Sequence, residues 1–77
     1  MNKERRKRIE DVVSSLGELQ TELCYILEEE NEAIENMPEN LQYSDKVERM
    51  RDKADDIDTA ISDIDSLIND LNDIIDD

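Results

Sequence analysis

The residue types that most often carry chemistry are missing or poorly placed in this chain. There is no histidine among its 77 residues. That removes the commonest general base, the commonest metal ligand and any Ser-His or Cys-His pair. The single cysteine, Cys24, has no basic residue within a helical turn to favour its thiolate. It reads as an inert thiol, at least half-buried, rather than a nucleophile. Asp56 with Asp58, and Asp63 with Asp65, share the spacing of calcium-loop ligands. Such a loop needs about 12 residues around a central glycine and a closing glutamate. Here Ile57, Ile61 and Ile64 keep helical spacing through the same stretch. The aspartates therefore read as a solvated acidic face. A di-metal bundle site would need inward Glu-x-x-His pairs. The expectation is a chain without catalytic groups, metal or cofactor.

Binding chemistry is better supplied. Lys3, Arg5, Arg6, Lys7 and Arg8 put five positive charges into six residues. Arginine grips phosphate oxygens in a two-pronged way that lysine does not. Arg5, Arg6 and Arg8 are thus candidate ligand-binding residues. The cluster lacks interleaved aromatics, so it does not resemble a base-stacking nucleic-acid platform. Its alternative role is pairing with the acidic C-terminal part of the same or a neighbouring chain. A second candidate group is Asn40, Gln42 and Tyr43, polar residues beside Met37 and Leu41. The same residue types also make ordinary turns and caps. Tyr25 lies just off the apolar stripe and reads as a residue of an oligomer seam.

Two long helices must position these groups. One proline and one glycine occur in the whole chain, and turn-forming residues concentrate around Pro38. The spacing predicts a helix over about 2–36, a loop over about 37–44 and a helix over about 45–76, all in one domain. Ile9, Leu16 and Leu23 recur every seven residues, as do Val12, Leu19, Ile26 and Ala33. Val13, Leu27 and Ile34 widen the stripe. In the second helix Val47, Ala54, Ile61, Ile68 and Ile75 form one row, Met50, Ile57, Ile64 and Leu71 the next, and Ala60, Leu67 and Ile74 a third. Ser44 or Asp45 could cap this helix, and Asp45 with Glu48 has capping-box spacing. Gly17 sits inside the first helix, where it either allows a close approach or is merely tolerated.

The fold class expected is all-α: an antiparallel two-helix hairpin assembling into a homo-oligomeric helical bundle, a dimer or tetramer. A stripe three positions wide exceeds what one partner helix covers, and so short a chain has little core of its own. In an antiparallel register Ile9 falls near the Ile75 end, and Ile26 near Ala54 and Ile57. The basic residues 3–8 then meet the nine aspartates of residues 54–77, and Lys46, Arg49, Arg51 and Lys53 meet Glu28, Glu29, Glu30, Glu32 and Glu35.

The formal net charge is −14, which argues against direct DNA binding and against an anionic membrane surface. No run of 18 apolar residues exists to span a bilayer, and no secretory h-region follows the basic start. With one cysteine, the expected setting is cytoplasmic.

Asn36, Pro38, Glu39, Leu41, Gln42 and Ser44 form a connection of the type Asn-x-Pro-Glu-x-Leu-Gln-x-Ser. Joined to a basic start and two acidic helices, it resembles the small acidic helical-hairpin proteins encoded by phages and prophages of gut Firmicutes. That resemblance implies a bacterial host and a non-enzymatic binding role. One expectation is a counter-defence module that sequesters a phosphate-bearing host nucleotide signal or blocks a host defence protein. Two others are an acidic DNA mimic occupying a nucleic-acid-binding host protein, and a structural or assembly bundle.

Overall fold

The computed structural model describes residues 1–76. Two long helices are joined by a short connection: α1 spans Lys3–Glu35 and α2 spans Asp45–Asp76, with a single 3-10 turn at Glu39–Leu41 between them. They pack along each other as an antiparallel hairpin measuring 60 × 15 × 12 Å. No strand occurs among the described residues. The expected helix limits thus hold to within a residue.

Local chemistry accounts for each boundary. Asn2 caps α1, its side-chain oxygen accepting from the Arg5 amide at 2.8 Å. This satisfies one of the amide groups that a helix start leaves without partners. Pro38 ends α1, because the residue before a proline is pushed out of helical geometry. Asn36 still bonds back to the Glu32 carbonyl, and Met37 to that of Ile34. At the start of α2 the cap is Ser44: its hydroxyl accepts from the Val47 amide and donates to the Leu41 carbonyl. The Asp45–Glu48 capping box is not the device used, since the cap falls one residue earlier.

Gln20 sets the register. Its side-chain amide donates to the Ile61 carbonyl at 3.1 Å and to the Asp65 carboxylate at 2.7 Å. Counting back along α1 and on along α2 from that contact puts Ile9 level with the Ile75 end. Counting the other way puts Ile26 level with the Ala54–Ile57 turn. Both placements match the sequence reading.

The packing is uneven. Ile34, Val47 and Ala54 are the buried core, with Leu27, Met37 and Met50 against it. All six lie at the loop end. Further from the loop, the seam is only half-buried: Ile9, Val13, Leu16, Gln20 and Leu23 on α1, and Ile57, Ile61, Ile64, Ile68, Leu71 and Ile75 on α2. One expected core row is not in the seam. Val12, Leu19 and Ile26 are exposed, Leu19 at 59%. The row running through Val13, Leu27 and Ile34 takes its place. Gln20 belongs to that row, and its two hydrogen bonds to α2 are what let a polar residue sit there.

Three smaller expectations are also corrected. Cys24 is exposed rather than half-buried, because its row lies beyond the Gln20 edge of the seam. Gly17 mediates no close helix approach, since a Cβ there would meet nothing within 4 Å. The interhelical charge pairing is absent: among the described residues the one ion pair is Lys7 with Asp11, inside α1 at 3.1 Å. Most of the long charged side chains on both helices are exposed, and exposed pairs gain too little to hold them together.

Candidate functional site

The candidate residues fall into two groups at opposite ends of the 60 Å hairpin. Arg5, Arg6 and Arg8 lie at the open end, where the chain starts and α2 finishes. Asn40, Gln42 and Tyr43 lie at the turn. No single site within one chain unites them.

At the turn, Gln42 is committed to the fold. Its amide nitrogen donates to the carbonyls of Ile34 at 3.0 Å and Met37 at 2.9 Å. Its amide oxygen accepts from the Arg51 guanidinium at 2.8 Å, and its backbone carbonyl accepts from the same guanidinium at 3.0 Å. One side chain therefore closes the last turn of α1, braces the Pro38 corner and fastens both to α2. Arg51, which the sequence reading assigned to charge pairing with the α1 glutamates, serves this turn instead. Asn40 is exposed, and Tyr43 is 94% exposed, far more than the other exposed large apolar side chains. Of the three candidate residues at the turn, these two remain available to a partner, beside the exposed Leu41.

At the open end, Arg5 and Arg8 stand over an apolar floor of Met1, Ile9 and Val12, lining a shallow depression of about 340 Å³. Arg6 lies on another face of α1, in a second depression with Lys3, Glu4, Lys7 and Glu10. Its Nε is buried without a hydrogen-bond partner. Helical geometry makes this division, because neighbouring residues on a helix point about 100° apart. The five-residue basic run is therefore two surfaces rather than one. Lys7 is spoken for: the hydrogen bond from its ammonium to Asp11, and the charge of that carboxylate, raise its pKa above 10.5. Lys3, Arg5, Arg6 and Arg8 have no described carboxylate within ion-pair distance. Arg5 and Arg8 thus combine charge without a partner and an apolar base, the composition that suits an anion with an apolar or aromatic body.

A third surface was not singled out in the sequence. Tyr25, exposed, lies with Glu28, Glu29, Asn31, Glu32 and Glu35 along an acidic groove of about 400 Å³ on α1. The signal for it is the step from Tyr25 to Glu28, Glu29 and Glu32, spacings that share one helix face. No group of three or more His, Cys, Asp or Glu side chains among the described residues is arranged to hold a metal ion. No described helix is long and apolar enough to cross a membrane. Comparison with protein-family models, with curated proteins and with solved structures finds no match for this chain.

Proposed function

We propose that this chain is a non-enzymatic binding protein, a phage-encoded counter-defence module that captures a phosphate-bearing host signal of the nucleotide class. The observation that carries the reading is the open end, where Arg5 and Arg8 lack carboxylate partners above Met1, Ile9 and Val12. A nucleotide offers what that surface lacks: phosphate oxygens for the two guanidinium groups and a flat apolar base for the floor. Titration calorimetry with a panel of cyclic and linear nucleotides tests it. Binding by one nucleotide class, abolished in the Arg5→Gln/Arg8→Gln variant with helicity intact, supports the reading. Absence of heat from every nucleotide sinks it.

A second reading rests on the acidic groove. With Tyr25 among Glu28, Glu29, Glu32 and Glu35, and a net charge of −14, α1 presents rows of carboxylates like phosphates along a strand. A DNA mimic blocking a nucleic-acid-binding host protein would use that face. Its partner would be lost steeply as salt rises, which salt steps in a pull-down measure directly.

A further inference from the structure

The structure leaves an apolar face uncovered, and its position follows from the winding of the two helices. Going around α1 from the Gln20 row, the next row holds Ile9, Leu16 and Leu23, and the row after that holds Val12, Leu19 and Ile26. Going around α2 from the Asp65 row, the next rows start at Val47 and Met50, and the third holds Ala60, Leu67 and Ile74. The helices run antiparallel, so their windings mirror each other across the seam. Gln20 and Asp65 bond at one edge of it. Val12, Leu19 and Ile26 must therefore emerge on the opposite side, and Leu67 and Ile74 emerge beside them. All five are exposed, and together they make one apolar strip on one side of the hairpin.

We propose that a second copy of this chain covers that strip, with the two open ends together, giving an antiparallel four-helix bundle. Size and charge both favour this occupant. The face around the strip, 60 by 15 Å at its full extent, is large enough to hold the roughly 800 Å² per partner that a stable interface buries. With open ends together, α1 of one copy lies over α2 of the other. Val12 and Leu19 then meet Leu67 and Ile74 of the second copy. Arg8 then lies level with its Asp76, and Glu30 and Glu35 lie level with its Lys53 and Arg49. The reversed arrangement stacks α2 on α2. Lys46 and Lys53 share a row with Leu67 and Ile74 at seven-residue steps, so reversal would seat lysines on those apolar side chains. This proposal needs no ligand and competes with the nucleotide reading for one surface, because Val12 of the open-end depression lies in the covered strip; loss of nucleotide binding leaves the dimer test untouched.

Sedimentation velocity on the full chain at micromolar concentration is expected to give a particle of twice the 9.0 kDa chain mass. A helical 9.0 kDa particle overturns the proposal. Pulsed electron resonance on an Asn40→Cys/Cys24→Ser chain, spin-labelled at the tip, tests the orientation. Labels closer together than half the 60 Å length are expected; labels separated by about that whole length overturn it. Leu19→Glu should shift the particle toward monomer, whereas Cys24→Glu, on the Gln20 edge, should leave the dimer whole. A dimer that resists Leu19→Glu and dissociates with Cys24→Glu places the interface on the wrong side.

Discussion

Gln42 shows how one side chain can fix a turn that would otherwise depend on Pro38 alone. It spends its amide nitrogen on two carbonyls and its amide oxygen on Arg51. Gln42→Ala strands those groups together, and a stability loss of about 2 kcal/mol is expected by chemical denaturation. Tyr43, next in sequence and fully out in solvent, should tolerate Tyr43→Ala with a change within about 0.5 kcal/mol. This contrast was not legible in the sequence, where Gln42 and Tyr43 look like equal members of a polar loop. Spacing does not reveal that the Gln42 amide reaches back eight residues to Ile34. Gly17 gives a change of the opposite sign. A Cβ meets nothing there, so Gly17→Ala should stabilise the chain by about 0.5–1 kcal/mol, visible as a higher melting temperature. Lys7 contributes in a narrower window. Its pKa is raised by Asp11, so that contribution is complete below the ordinary lysine value and is lost as pH climbs through the raised one.

Between the helices, almost all full burial sits next to the turn. Val47 is completely buried against Ile34 and Ala54, while the seam residues further away remain half-exposed. Val47→Ala removes packing from the one place with none to spare and should cost about 2 kcal/mol. Ile75→Ala, near the open end, should cost clearly less if the hairpin acts alone; parallel urea titrations of the two variants compare them. Both helices and their antiparallel register were legible, because seven-residue apolar rows and a single proline leave few alternatives. The choice among the three α1 rows was not. Two adjacent rows face one partner helix, and three apolar rows offer two such pairs: the Ile9 row with the Val12 row, or the Ile9 row with the Val13 row. Gln20 interrupts the second pair in the sequence and so argues against it. Its bonds to Ile61 and Asp65 remove that objection only once α2 is in place. The basic run was legible as a charge cluster but not as two surfaces, since Arg5 and Arg8 part from Arg6 only when the helix winds.

At the scale of the whole molecule, electrostatics opposes the fold. Aspartates and glutamates number 23 against nine lysines and arginines, and two rods carrying that excess repel along their shared length. The lone described ion pair, Lys7 with Asp11, lies within one helix, so attraction between helices offsets little of the repulsion. Salt tests this. Moving from about 0.01 to about 1 M monovalent salt shortens the screening length from about 30 to about 3 Å, which should weaken that repulsion and raise the melting temperature at pH 7. Melting curves followed by circular dichroism at the two ionic strengths read the effect. A melting temperature that falls as salt rises would mean that attraction between the basic residues 3–8 or 46–53 and the acidic faces outweighs repulsion, with those contacts supplied by a second copy.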